Sequence, residues 1–134
     1  MTLSEKQPRT TFVLVGHCSP DSGMLKNAVT RAVPGATVVR ANDDAALERA
    51  REGRTVWLVN RVLDGDFEHD DGLALIDSQR RRFEGAEQGP VILLISNHAA
   101  SQASAVALGA LPGFGKRAVF AEETARILAA SAAS

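Results

Sequence analysis

Three short apolar runs punctuate the chain: Phe12-Val13-Leu14-Val15, Val56-Trp57-Leu58-Val59 and Val91-Ile92-Leu93-Leu94-Ile95. They are rich in β-branched residues and lack the alternation of a half-exposed strand. A strand reads this way when helices cover both faces of a parallel sheet. A weaker run, Ala36-Thr37-Val38-Val39, follows the turn at Pro34-Gly35. Helical spacing fills the intervals. Met24, Leu25, Ala28, Val29, Ala32 and Val33 recur with that period after the cap-rich start Ser19-Pro20-Asp21-Ser22. Asn42-Asp43-Asp44 opens a second helix over 45–51, closed by Gly53. Leu73, Ile76, Arg80 and Phe83 mark a third, stopped by Gly85, and alanine-rich stretches predict a fourth over 100–110 and a fifth over 122–130.

With a short strand near Phe114, strands and helices alternate. Such alternation predicts a doubly wound α/β fold, its right-handed crossovers placing helices on both faces. Five β/α units in a chain of 134 residues suggest a flavodoxin-like parallel sheet of five strands in the order 2-1-3-4-5. The expected boundaries are a disordered segment over 1–10, a single domain over 11–130 and a frayed Ala/Ser tail over 131–134.

Composition narrows the function classes. A hydrophobic share of 45% and a charged share of 23% place the chain among ordinary globular proteins. A formal net charge of -1 gives no broad basic surface for nucleic acid or anionic lipid, and Arg80-Arg81-Arg82 reads as a solvated helix end. A single cysteine, Cys18, excludes an internal disulfide and suits a reducing compartment. The start MTLSEKQPRT lacks the apolar stretch of a signal peptide, and no apolar run approaches the roughly 20 residues of a membrane span. A cytoplasmic location is expected.

Four pieces then fall in order along the predicted elements. Pro20-Asp21 with Met24-Leu25 follows the first strand, Asp71-Gly72-Leu73-Ala74-Leu75-Ile76 opens the third helix, and Ser96 ends the fourth strand. Gly109-Ala110, Gly113-Phe114 and Lys116 surround the fifth strand. Over 11–128 the chain resembles a response-regulator receiver domain. The resemblance implies a signalling module rather than an enzyme with turnover, and it exposes two departures. Receivers hold Mg²⁺ with two carboxylates at the end of the first strand, where this chain has Gly16 and His17; a hard cation wants oxygen ligands. The receiver phosphoacceptor Asp ends the third strand, where this chain has Asn60, whose amide lacks a comparable nucleophilic oxygen. Lys116 is retained, but Arg117 replaces the usual proline.

Counting back from Asp71-Gly72 by the family's spacing lands instead on Asp64, an alternative phosphoacceptor with Asp21 or another loop carboxylate as a makeshift Mg²⁺ site. That alignment would run the third strand through Arg61 and bury a guanidinium at a cost of several kcal/mol. A short insertion after Asn60 is the preferred alignment.

Other chemistry is weaker. His17, Cys18, His69 and His98 all fall at or beyond strand ends, and His17, Cys18 and His98 form an alternative Zn²⁺ set. Cys18 as a phosphatase nucleophile fails because the phosphate-cradling Arg position is Met24. The loop Asp64-Gly65-Asp66-Phe67-Glu68-His69-Asp70-Asp71 lacks the Gly and Glu of a calcium loop, having His69 and Leu75 there. No glycine-rich phosphate loop is present.

The stretch 89–115 has no Lys, Arg, Asp or Glu, although its helix should present one face to water. Val106, Leu108, Leu111, Phe114, Ile127 and Leu128 are therefore expected to form a protein interface, homodimeric between the fourth and fifth helices. The expected whole is a pseudo-receiver with degenerate pocket residues Gly16, His17, Asn60, Ser96 and Lys116. It takes no cofactor, carries no output domain and acts through a separate protein.

Overall fold

The computed structural model describes residues 10–51, 53–82 and 89–133. Five strands, β1 (Thr11–Val15), β2 (Thr37–Ala41), β3 (Thr55–Asn60), β4 (Val91–Ile95) and β5 (Leu111–Phe114), alternate with α1 (Ser19–Ala32), α2 (Asp44–Arg49), α3 (Gly72–Arg82), α4 (Ala99–Ala107) and α5 (Glu122–Ala133). All strand pairs are parallel, in the order β2-β1-β3-β4-β5. The predicted α/β architecture and strand order hold.

Continuous apolar runs supply two cores because successive side chains leave opposite faces of a strand. Phe12, Leu14, Val56 and Leu58 pack with Leu25, Val29 and Leu128 beneath α1 and α5. Val13, Val15, Trp57 and Val59 pack with Leu47, Leu75, Ile76 and Ala105 beneath α2, α3 and α4. Trp57 is fully buried, and the Arg51 guanidinium lies 5.8 Å from its ring centroid.

Local boundaries differ from expectation where side chains intervene. Asp43 accepts from Ala46 N at 2.6 Å, so α2 begins at Asp44 and ends at Arg49. The last helix takes in 131–133 of the Ala/Ser tail. Ser131 is buried, donates to Leu128 O at 2.7 Å, and extends α5 to Ala133. Of the expected N-terminal segment, 1–9 lies outside the described residues, while Thr10 donates to Ala132 O at 3.4 Å. The predicted stop of the third helix at Phe83–Gly85 also lies outside them.

β5 is the irregular strand. Pro112 has no backbone N–H, and the register against β4 shifts between Leu93 and Ile95. Gln102 of α4 repairs the gap: its amide donates to Leu94 O at 2.8 Å and Ser96 O at 3.1 Å, and accepts from Gly113 N at 3.0 Å.

Candidate functional site

In this topology the strand order reverses between β1 and β3, and the crevice outside their carboxyl ends is where such sheets bind ligands. Gly16 follows β1, and its positive φ of 73° turns the backbone while its N–H still reaches Ala41 O at 3.0 Å. His17 follows and folds inward. Its side chain is fully buried, and Nε2 donates to Leu58 O at 2.8 Å, while Nδ1 has no partner among the described residues. Burial lowers its pKa from 6.5 to about 4, the nearby Lys116 cation adding to the effect and the Leu58 hydrogen bond opposing it. The imidazole is neutral near pH 7.

The β3–α3 loop occupies the crevice. Asp64 N donates to Gly16 O at 2.9 Å and Asp66 N to Asn42 O at 2.8 Å, so the loop crosses from β3 to the end of β2, where Asp66 and Asp43 form a bridge. Leu63 packs over Gly16 and on the second core; a Cβ on Gly16 would stand 2.7 Å from Leu63 Cδ2. Phe67, four residues on, joins the same core. Gly65, at φ 133°, lies so close to Asn42 that a Cβ there would overlap the Asn42 carbonyl. Two amides and a guanidinium take the nearby carbonyls. Asn60 Nδ2 donates to Gly16 O at 2.9 Å, Asn42 Nδ2 to His17 O at 3.0 Å and Asp64 O at 2.9 Å, and Arg40 Nη2 to His17 O at 3.0 Å.

This donor set does not fit Mg²⁺. Gly16 offers no side chain, its Cβ position is crowded by Leu63, the buried His17 nitrogen is turned to Leu58, and the local carbonyls already accept N–H groups.

Lys116 pairs with Asp21 of α1 at 2.6 Å, and that bond holds the Asp21 carboxyl below its usual range. Buried Ser96 accepts from His98 N at 3.2 Å, a local turn contact. Arg61, just past β3, is half-buried, pairs with Asp71 at 3.1 Å and reaches Ser101 of α4 at 3.3 Å. No strand continues through it.

Solved structures give the fold its kinship. The non-phosphorylated receiver domain of the stress response regulator RcsB from Escherichia coli superposes with a TM-score of 0.67 at 15% identity, over 92% of this chain and 93% of that one. The signal receiver domain of a DNA-binding response regulator from Colwellia psychrerythraea 34H gives 0.63 at 16% identity, over 89% and 94%. The fold is that of response-regulator receiver domains. The phosphorylated cyanobacterial phytochrome response regulator RcpA has the same fold, with a TM-score of 0.59 at 14% identity over 92% and 91%. No family model matches the chain, and no curated protein matches it in sequence.

Within the receiver fold, Gly16, His17 and Asn60 come together at the crevice, joined by the Asn60–Gly16 hydrogen bond. Asp64 has an exposed side chain on the loop, while its backbone is tied to Gly16 and Asn42. The alternative zinc set does not assemble: His17 is buried against Leu58, His98 is exposed at the start of α4, and no metal-holding group of three His, Cys, Asp or Glu exists among the described residues. The expected interface also needs correction. Phe114 and Leu128 are core residues, 6% and 0% exposed, because both face the α1–α5 core. Val106 and Leu111 remain exposed at 43% and 39%, while Leu108 and Ile127 are half-buried. Sequence reasoning missed Leu63, Asn42 and Gln102. Only Leu63 and Phe67 left a signal, two apolar residues four apart in an otherwise acidic loop.

Proposed function

We propose that this chain is a signalling module with the receiver fold that works without phosphoryl transfer, through binding to another protein. The observation that carries this reading is the filled crevice, with Leu63 over Gly16 and the Asn60 amide at the end of β3. A receiver in this state is held in one arrangement by its own hydrogen bonds, so its output is a surface and not a switch thrown by metal and phosphate. The surface is the α4–β5 face with Val106 and Leu111, in a stretch with no charged residue of its own, and it dimerises with a second copy in the cytoplasm. The absence of charge supports self-association, since a two-fold interface brings each residue near its own symmetry mate and like charges would repel.

Incubation with a small acyl phosphate donor and Mg²⁺ tests the first half. Intact-protein mass should not change; the gain of one phosphoryl group, lost in Asp64→Asn, would establish the alternative in which Asp64 is the acceptor. Light scattering tests the second half. Val106→Asp with Leu111→Asp should halve the mass of the wild-type particle, and an unchanged mass would remove that face from the account.

A further inference from the structure

The β3–α3 loop contains both Asp-Gly pairs of the chain, Asp64-Gly65 near its start and Asp71-Gly72 at its end. Such a pair is open to a reaction within the chain, because a glycine nitrogen has no neighbouring Cβ to shield it. That nitrogen attacks the aspartate Cγ. The new N–Cγ bond forms as a C–O bond of the protonated carboxyl breaks, and the hydroxyl leaves with the amide proton as water. Water then opens the five-membered imide at either carbonyl. Opening at Cγ restores aspartate, while opening at the main-chain carbonyl gives isoaspartate, whose chain runs through Cβ and Cγ. One water is lost and one regained, so no other reactant is needed.

The fold treats the two pairs differently. Asp71 Oδ1 takes the Arg61 guanidinium at 3.1 Å and Leu73 N at 2.9 Å, and Gly72 N donates to Arg61 O at 2.9 Å. Gly72 is buried so close to β3 that a Cβ there would overlap the Asn60 carbonyl. Attack at this pair requires the carboxylate, the N–H and the start of α3 all to be released. At the other pair, the Asp64 carboxylate is exposed and has no hydrogen bond or ion pair among the described residues, and Gly65 N donates to no group among them. The anchors flank the reacting atoms: Asp64 N on Gly16 O and Asp66 N on Asn42 O. Only the exposed bond from Asn42 Nδ2 to Asp64 O lies within the pair itself.

We infer that Asp64-Gly65 is a site of spontaneous isoaspartate formation in the folded protein, that Asp71-Gly72 is not, and that the change loosens the loop from the crevice. The isomer adds one backbone atom between the two anchors and turns the carbonyl that Asn42 holds into a free carboxylate. Leu63 and Phe67, on either side, then lose the spacing with which both reach the second core. This loosening rests on the filled crevice; the isomerisation does not.

The full chain, incubated near neutral pH in heavy-oxygen water, takes up a heavy oxygen atom at each imide that opens. Fragmentation of the tryptic peptide 62–80 locates it. Position 64 should label at least about tenfold faster than 71, since the hydrogen bonds at 71 must open first. In urea the two should label at similar rates. Asp64→Glu, whose longer side chain closes a larger ring far more slowly, should leave position 64 unlabelled. The isolated isomer should exchange its amides over 61–71 faster than the unmodified chain. A phosphoryl group on Asp64 adds mass in ordinary water and isomerisation does not, so the two fates of this residue are told apart. Equal labelling at 64 and 71 in the folded protein would overturn the inference, as would no labelling at 64 where the unfolded chain labels. An isomer with undiminished amide protection would overturn the loosening.

Discussion

The carboxyl end of the sheet and its α1–α5 flank begin from similar material and end differently. Both are concave, and both place charged groups around small residues. At the carboxyl end, the β3–α3 loop lies in the concavity, Leu63 fills the space over Gly16, and the carbonyls of Gly16, His17 and Asp64 accept N–H groups from Asn60, Asn42 and Arg40. On the flank, Phe120 remains largely exposed beside an open cleft and Arg31 faces no carboxylate partner among the described residues. A receiver fold can thus fill the region its topology offers to ligands while a cleft on its flank stays open. Fold alone does not fix which region acts.

The largest effect should come from forcing the loop out of the carboxyl-end crevice. Gly65→Val places a β-branched residue at φ 133° and drives its Cβ into the Asn42 carbonyl, so the loop must leave β2. We expect a loss of about 4 kcal/mol in urea unfolding, with fast amide exchange appearing over 61–71. Slow exchange there would mean that the loop is not held by the β2 contact.

Acid should act on the same end. The folded state holds His17 at about 4 against 6.5 in the free side chain, so its neutral form contributes fully above 6.5. That contribution is lost as pH falls toward 4, about 3 kcal/mol in all. Asp21, lowered by Lys116, loses its own contribution at still lower pH, with the same sign. His17→Gln should flatten the stability profile between pH 6.5 and 4; an equally steep profile in the variant would assign the acid response to other groups.

Gln102→Ala tests the β4–β5 edge, apart from both regions. It removes the acceptor for Gly113 N and the donor to two carbonyls, and should cost about 1–2 kcal/mol with exchange confined to β5. Asp64→Asn should change stability least, within about 0.5 kcal/mol, because its carboxylate is exposed and its backbone makes the contacts.

The parts of this molecule differ in how far they could be read from the chain. The central strands were legible because β1, β3 and β4 are buried on both faces and therefore apolar throughout. Gly16, His17 and Asn60 could be placed at strand ends because those strands were. The filling of the crevice was not legible, since most of its contacts are backbone hydrogen bonds between segments distant in sequence, made by a loop whose composition reads as solvated. The burial of His17 was not legible because its inward turn depends on the positive φ of Gly16. Phe114 and Leu128 read as surface because a charge-free segment does not reveal which of its apolar side chains face the sheet. Phe120 stood outside any periodic pattern, and its exposure follows from the turn between Lys116–Ala118 and α5.

The central claim is that the receiver crevice of this chain is closed to the chemistry of its fold. Backbone amide NMR during titration with Mg²⁺ and beryllofluoride, a mimic of an aspartyl phosphoryl group, tests it most directly. The account predicts no saturable shift at Gly16, His17, Asn60 or the 61–71 loop with either reagent or both. Saturable shifts centred on Asp64 that require both reagents together would contradict it and show that the loop opens to a phosphorylatable site.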